Sequence, residues 1–270
     1  MQLENKRVLV TGAASGMGRE VAVESARQGA EHIVLIDINK AALHETAEEI
    51  RHLGVSTSDQ VLDLRDRHQI FSAIDDITQR LDGFDTLVNA AGVLDHHFTN
   101  PDRVGADSLD EDAWDAVMDI NLKAVWLLSQ AASPILQASN RGPSITNFAS
   151  VAGMHGAKMT AYPVSKAAVI QLTRVTAINL SPRVRVNAVS PGSFRTPMSQ
   201  AHLDAAEDKH ERALSMYGTH LIPRLGDPSE IAKTVCFLAS DAASFITGTN
   251  LPVDGGTTAW RGMQASVPVD

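Results

Sequence analysis

Short apolar runs alternate along this chain with stretches whose apolar positions recur at helical spacing, which predicts a repeated strand and helix unit. The runs Arg7–Thr11, His32–Asp37, Val55–Leu64, Phe84–Asn89, Ser144–Phe148, Val184–Val189 and Gly248–Asp254 read as strands. Helical patterns lie between them, from the glycines after Thr11 to about Gln28, then at Asn39–Leu53, Asp66–Leu81, Asp112–Leu136 and Thr160–Leu180. Asp227-Pro228-Ser229-Glu230 opens a final helix with a capping box and a proline in its first turn. Two polar segments break the rhythm: Leu94–Asp112 reads as an enlarged surface loop, and Pro197–Pro223 as a movable cover. Strands and helices in strict alternation predict an α/β fold, a Rossmann-type doubly wound parallel sheet with helices on both faces and right-handed crossovers. No repeat or linker divides residues 1–270, so a single domain is expected, with its ligands beyond the carboxyl ends of the strands.

Charge and composition narrow the partners. Acidic residues outnumber basic ones 32 to 23, for a net charge of −9, so there is no basic field to hold nucleic acid or an anionic membrane. No run of 18 apolar residues and no signal segment occurs, which predicts a soluble, cytoplasmic protein. Cys236 is the only cysteine, so no intrachain disulfide can form, and its apolar neighbours predict a small core residue. His96 and His97 are adjacent and have no Cys or His partner at zinc spacing, so no metal is expected.

The first strand runs into Thr11-Gly12-Ala13-Ala14-Ser15-Gly16-Met17-Gly18 and then a helix. Strand, glycine loop and helix N-terminus together form a phosphate cradle: Gly12 permits a tight turn, Gly16 and Gly18 admit a diphosphate close to the main chain, and the first helical N–H groups favour the anion. Asp37 ends the second strand, where a carboxylate accepts hydrogen bonds from the adenosine ribose hydroxyls; it is also a candidate N-cap for the next helix. Ser15 and Ile38 bring no positive charge for a 2′-phosphate, so NAD is favoured over NADP, with Arg19 and Lys40 as the nearby cations. Asp63, followed by Leu64, is placed to meet the adenine amine, and Asn89-Ala90-Ala91-Gly92 offers small residues on which the chain can pass beneath a ribose.

Tyr162-Pro163-Val164-Ser165-Lys166 sets a phenol and an ammonium four residues apart on one helical face, with Thr160 as candidate N-cap. A tyrosine titrates near pH 10, so it serves as a base at neutral pH only where a positive charge such as that of Lys166 stabilises the phenolate. Ser150 follows the fifth strand and projects a hydroxyl from the sheet's carboxyl edge. Asn121 interrupts an apolar helical pattern, where an amide satisfied by backbone groups bends a helix.

In order along the chain, the glycine loop, Asp63, Asn89–Gly92, Asn121, Ser150, Tyr162 with Lys166, Asn187, Pro191-Gly192 and Leu251-Pro252-Val253-Asp254-Gly255-Gly256 resemble the motifs of the classical short-chain dehydrogenase/reductase family over about residues 6–256. Two departures stand out: Ala90 replaces a second asparagine, and Ser150 lies one residue nearer the tyrosine than usual, which implies a shortened loop near Ala157-Lys158. The resemblance implies a seven-stranded sheet of order 3-2-1-4-5-6-7 and hydride transfer between a nicotinamide and a carbonyl or secondary alcohol. It also implies Tyr162 as acid and base, Lys166 on the nicotinamide ribose, Ser150 on the substrate oxygen and Asn121 anchoring a water that links Lys166 to solvent. Pro191, Gly192, Phe194 and Thr196 would hold the nicotinamide end, and assembly would be homotetrameric, through the helices Asp112–Leu136 and Thr160–Leu180 and the last strand. Leu94, Phe98, Ala152, Met154, Phe194 and Met198 are placed to line a mainly apolar substrate cleft. Two rivals share the motifs: a 3-oxoacyl reductase acting on carrier protein, for which Arg141 and Arg183 are candidate carrier contacts, and a nucleotide-binding protein without turnover.

Overall fold

Seven strands pair in parallel in one sheet of order β3-β2-β1-β4-β5-β6-β7 in the computed structural model, as the alternation and the resemblance predict. Residues 2–204, 206–260 and 262–268 are described, excepting the side chains of Pro197, Met198, Ala201 and His202. The strands are β1 Arg7–Thr11, β2 His32–Asp37, β3 Ser56–Val61, β4 Thr86–Asn89, β5 Ser144–Phe148, β6 Arg185–Pro191 and β7 Asn250–Val253. The helices are α1 Gly16–Arg27, α2 Lys40–His52, α3 Arg67–Leu81, α4 Glu111–Met118, α5 Ala124–Ala138, α6 Ala161–Leu180, α7 Pro197–Asp204, α8 Lys209–Tyr217 and α9 Pro228–Ala239.

Period-two alternation in the central strands feeds two cores. Val8, Val10, Ile33 and Leu35 point to the face covered by α1, α2 and α9, where they meet Val21, Leu43, Ile50 and Val235. Leu9, Val34, Ile36 and Leu87 point to the other face and meet Ile70, Ile74, Leu128 and Leu136 from α3 and α5. Cys236 is buried in the first of these cores, and burial pushes its thiol up to about 12, so it is an inert packing residue as expected. The edge strand β3 is polar and largely solvated, and it ends before Leu62 rather than at Leu64, because Asp63 turns the chain by accepting the Arg65 N–H at 2.9 Å.

Two expected boundaries change for identifiable reasons. The helix expected over Asp112–Leu136 is divided by a π-helical turn, Asp119–Lys123, centred on the buried Asn121. Asn39 caps α2 in place of Asp37, accepting the Ala42 N–H at 3.2 Å. Asp37 is committed elsewhere. The capping box at Asp227 and Glu230 forms as expected. Among the described residues no helix is long and apolar enough to cross a membrane.

At the amino edge of the sheet the buried ammonium of Lys6 donates to the carbonyls of Gly142 and Ala239, both at 3.0 Å, and to Asp241 at 3.1 Å. It ties β1 to the turn before β5 and to the C-terminal end of α9, where a cation complements the helix dipole. Lys6→Met keeps the stem and strands these acceptors, so it should lower the unfolding free energy by about 2 kcal/mol, read from denaturant titration. A change under about 0.5 kcal/mol would show that water replaces the ammonium.

Candidate active site

At the carboxyl edge, the loop between β1 and α1 has the shape of a diphosphate cradle. A Cβ on Gly18 would lie 2.2 Å from the Gly12 carbonyl oxygen, and one on Gly12, whose φ is +67°, would lie 2.8 Å from the Ala91 Cα. The floor of the loop is therefore closed to any side chain. Above Gly16 the nearest atom to such a Cβ is the Thr196 Cγ2 at 3.9 Å, which leaves room on the ligand side. Ser15 is an exposed N-cap without a side-chain capping bond, and Met17 packs into the core beneath. Asp37 is anchored beside the loop by the N–H groups of Ala14 at 3.0 Å and Asn39 at 2.9 Å, and Ile38 next to it is exposed. Arg19 is ion-paired with Glu49 of α2, which draws its charge away from that acid. Asp63 is gripped by Arg65 at 2.6 Å, which holds its carboxyl below the usual range, and Leu64 packs on the core. These residues fit an adenine dinucleotide.

The loop after β4 is fixed from within. Thr11 Oγ1 accepts the N–H groups of Ala90 and Ala91 at 3.1 and 3.2 Å, so alanine at position 90 costs the loop no anchor. Asn89 turns its amide sideways and donates to Asn147 at 2.8 Å, leaving main chain at Ala90–Gly92 to face the cleft. Asn121 then clamps Val93: its Oδ1 accepts the Val93 N–H and its Nδ2 donates to the Val93 carbonyl, both at 2.9 Å. A second bond runs from Nδ2 to Ser165 Oγ at 3.1 Å. Both amide protons are spent, so one acceptor lone pair on Oδ1 is what Asn121 retains for a water.

Ser150, Tyr162 and Lys166 converge next to this clamp. Ser150 is buried and its Oγ accepts the Ala152 N–H at 3.1 Å, which starts the short 3-10 turn Val151–Gly153. Gly153 seats that turn on α6, since a Cβ there would lie 2.6 Å from the main chain of Lys166 and Ala167. The connection from that turn to α6, where the resemblance implied a shortening, runs over the exposed residues 154–158. Burial pushes the Tyr162 phenol above its ordinary pKa, while a hydrogen bond with Ser150 pulls it back. The expected lowering by Lys166 is not what dominates: its Nζ lies 5.8 Å from the Tyr162 ring centroid and donates to the Phe148 carbonyl at 2.7 Å. Burial in turn brings the ammonium of Lys166 down to about 8. Gly92 closes over both groups, with its Cβ position 3.3 Å from Lys166 Nζ and 3.4 Å from Asn121 Oδ1.

The opposite wall comes from the segment after β6. Pro191 is buried, and Gly192 donates its N–H to the Val253 carbonyl at 3.0 Å. Thr196 Oγ1 accepts the Ser199 N–H at 3.2 Å at the start of α7. Phe194 was expected on the cleft surface but is buried, with its ring so close over Gly226 that a Cβ there would lie 2.6 Å away. Leu94 and Ala152 are partly buried, Phe98 and Met154 are exposed, and the side chain of Met198 lies outside the described residues. His96 and His97 stack with centroids 4.9 Å apart, and His97 Nδ1 serves the Leu94 main chain at 2.8 Å. A cavity of about 160 Å³ lies behind Phe194, lined by His220, Asp254 and Gly255, and a shallow hollow of about 500 Å³ along α3 is remote from these groups.

Two contributors were not legible in the sequence. Asp95, in the loop after β4, accepts the N–H groups that open α6, displacing Thr160 from the capping role; Thr160 Oγ1 donates instead to the Val104 carbonyl at 2.8 Å. The C-terminal tail straps the cover: Gln264 donates its N–H to the Gly218 carbonyl at 2.7 Å, Tyr217 donates its hydroxyl to the Pro268 carbonyl at 2.5 Å, and Val267 is buried with Ala213 and Leu225. Their only sequence signals are a single Asp in a polar loop and a tail too short to show periodicity. Arg141 and Arg183 are corrected. They precede β5 and β6, at the amino edge, and Arg141 is ion-paired with Glu31 at 2.8 Å, so neither stands beside the cleft.

A family model described as enoyl-(acyl carrier protein) reductase matches residues 12–258. The chain is 38% identical over 258 residues to the 3-oxoacyl-[acyl-carrier-protein] reductase FabG of Thermotoga maritima, covering 95% of this chain and 99% of that one. It is 37% identical to the cyclopentanol dehydrogenase of a Comamonas species, with 96% and 99% covered. Among solved structures, levodione reductase shares the fold at a TM-score of 0.87 with 28% identity, covering 96% of this chain and all of the other at 100%. A protein from Agrobacterium tumefaciens described as a 2-deoxy-D-gluconate 3-dehydrogenase, with bound NADP, matches at a TM-score of 0.83 and 32% identity over 96% and 98% of the two chains. With sheet order, loop geometry and sequence agreeing over nearly its whole length, the chain belongs to the classical short-chain dehydrogenase/reductase family, oxidoreductases that act on CH–OH groups and their ketones with a nicotinamide cofactor.

Proposed function

We propose that this protein is an NAD-dependent oxidoreductase interconverting a mid-sized, mainly apolar secondary alcohol and its ketone. The observation that carries the reading is the convergence of the Ser150 hydroxyl, the desolvated Tyr162 phenol and the buried Lys166 ammonium beside a cradle fit for a dinucleotide. When bound, the nicotinamide supplies the hydride acceptor or donor. The main chain of Gly12, Ser15, Gly16, Met17 and Gly18 would hold the diphosphate, Asp37 with Ile38 the adenosine ribose, and Asp63 with Leu64 the adenine. Asn89, Ala90, Ala91 and Gly92 would pass beneath the far ribose, and Pro191, Gly192, Phe194 and Thr196 would bound the nicotinamide end, Phe194 by its main chain.

Ser150 would donate to the substrate oxygen, where charge develops in the transition state. Tyr162 would give its proton to that oxygen in reduction and take one from it in oxidation. Lys166 would favour the phenolate by its charge, and Asn121 would hold the water through which the proton reaches solvent. A protein that only binds nucleotide gains nothing from a phenol held away from water beside a serine hydroxyl, since burying it costs stability.

Asp37, fixed by two N–H groups, and the engagement of Arg19 by Glu49 support NAD, while the NADP-bound Agrobacterium relative makes the choice a matter for measurement. Leu94, Phe98, Ala152 and Met154 around the site support an apolar substrate, at about 25 cal/mol per Å² of surface removed from water. The cyclic alcohol in the name of the Comamonas relative points the same way. Reduction of a carrier-bound 3-oxoacyl group is the second reading, on the strength of the Thermotoga relative, with Arg141 and Arg183 at the amino edge rather than beside the cleft. For assembly we infer a homotetramer, supported by exposed Trp126 on α5, Val164, Val175 and Ile178 on α6, and Phe245 before β7. Sedimentation as a monomer at micromolar concentration would overturn it.

Kinetics with NAD and NADP against cycloalkanols, aryl carbinols, polyols and acyl-carrier thioesters test the cofactor and substrate together; kcat/KM should be highest for NAD with a cyclic or aryl secondary alcohol. A preference for polyols or carrier thioesters would refute the substrate class, and one for NADP would mean that Lys40 reaches the 2′-phosphate. Tyr162→Phe should lower kcat by at least ~10²-fold with NAD affinity kept, because one titratable oxygen is lost. Since burial keeps the phenol protonated at neutral pH, reduction should run there unaided, while oxidation, which needs the phenolate, should gain as pH rises. Lys166→Met should abolish turnover and yet raise the melting temperature of the ligand-free enzyme. The displacement of its ammonium from 10.5 to about 8 corresponds to about 3 kcal/mol of strain at pH 7. Between those two values the unfolded chain binds the extra proton, so wild-type stability rises with pH and the advantage of the methionine variant shrinks; an unchanged melting temperature at neutral pH would contradict this.

A further inference from the structure

Asp95 has no solvent exposure and sits in the short 3-10 turn Asp95–His97, with no part so far in the reaction or in cofactor binding. A carboxylate so buried is costly unless its charge is met, and among the described residues no ion pair reaches it. Three main-chain donors meet it instead: Oδ2 accepts the N–H groups of Thr160 and Ala161, each at 2.9 Å, and Oδ1 accepts that of Tyr162 at 2.8 Å. These are groups that the first turn of a helix leaves unpaired, at the positive end of its dipole, so the burial is compensated.

The partner on Oδ1 sets this apart from an ordinary cap. The peptide groups on either side of Tyr162 are held, its N–H by Asp95 and its carbonyl by Ser165 Oγ at 2.7 Å. Ser165 receives Nδ2 of Asn121, Asn121 clamps both main-chain polar groups of Val93, and Val93 stands two residues before Asp95. The bonds close into a circuit that runs from Asp95 through Tyr162, Ser165, Asn121 and Val93 back to Asp95. Thr160 Oγ1, on the Val104 carbonyl, ties the far side of the same loop to the same turn of helix.

We propose that Asp95 is a positioning residue for the reaction: by holding the Tyr162 N–H it sets where the phenol stands and makes the loop 94–104 and the start of α6 one body. Any substrate contact that orders the loop is then felt at the acid and base. The inference rests on Tyr162 being that group, and a misplacement on the scale of 1 Å can cost up to about 10²-fold in rate.

The chain has two tyrosines, so a Tyr217→Phe background leaves Tyr162 as the one phenol to titrate by tyrosinate absorbance. In that background Asp95→Asn retains the shape with one acceptor oxygen, and Asp95→Ser retains a shorter cap, so two variants guard against a failure to fold. Both should keep NAD affinity within about twofold and lower kcat at least ~10-fold, with the phenol titrating closer to the ordinary value near 10 as it loses its buried seat. Unchanged kcat with unchanged titration would overturn the proposal, as would a rate loss matched by equal losses of NAD affinity and melting temperature, which marks a merely structural cap. Tyr162→Phe in the same assay separates the two claims. If it turns over normally, the acid and base reading fails; if it is inactive while both Asp95 variants run at full rate, that reading stands and the positioning role falls.

Discussion

Buried polar groups must find partners, and at the carboxyl edge of this sheet the demand is concentrated on the amide of Asn121. Its side chain has no solvent contact and, among the described residues, is met by Val93 and Ser165. An unbroken α-helix from Glu111 to Ala138 would hold position 121 on a regular helical surface; the π-helical turn Asp119–Lys123 locally widens it where the amide meets the β4 loop. The cost of that widening is offset by the order it imposes. Val93 is fixed, Asp95 beyond it is fixed, and the first turn of α6 hangs from both. Geometry at the reacting groups thus depends on a π-helical turn in a segment that supplies none of them.

Two lysines are buried in this chain to the same small residual exposure, and they show how burial serves different ends. Lys6 finds three oxygens, one of them a carboxylate, so its charge is repaid and it stitches the amino edge together. Lys166 finds the single carbonyl of Phe148, and its ammonium is drawn down to about 8. An under-satisfied cation in a dry site is a poor structural element and a good functional one, because it can be satisfied by a ligand hydroxyl and can share a proton near neutral pH. The same holds for the phenol of Tyr162, kept protonated by burial.

How much of this was legible in the sequence follows from how local each interaction is. The strands, their parallel pairing and the glycine loop were legible because apolar runs, their alternation with helices and glycine spacing are local consequences of backbone geometry, while the strand order came only from the family resemblance. The capping box at Asp227 and Glu230 spans four residues and was legible for the same reason. Asp95 was not: its partners are 65 to 67 residues away, and nothing in Leu94-Asp95-His96-His97 distinguishes a helix cap from a solvated turn. Phe194 misled in the opposite sense, since an aromatic after Pro191-Gly192-Ser193 suggests a lining residue, and only Gly226, distant in sequence, provides the space that takes its ring. The spacing placed Lys166 on one helical face with Tyr162 and expected its charge to act on the phenol, but the burial of both groups, which outweighs that charge, is a property of the packed site.

The two walls of the cleft are built to different standards, and this bears on what the enzyme can select. The wall formed by the β1, β2 and β4 loops stands on the fully buried centre of the sheet, with its main chain pinned by Thr11, Asp37 and Asn121. The cover, α7 and α8, has no strand of its own. It is held by Ser193 Oγ donating to the Met216 carbonyl at 2.6 Å, by its own small core and by the C-terminal tail through Gln264, Val267 and Pro268. Such a segment opens at lower free energy than the sheet, because fewer buried contacts must be broken. Hydride chemistry demands a fixed geometry, and the groups proposed for it, Ser150, Tyr162 and Lys166, stand on the β5 connection and α6 rather than on the cover. None of the motifs that carry the family resemblance falls in α7, α8 or the tail after Gly256.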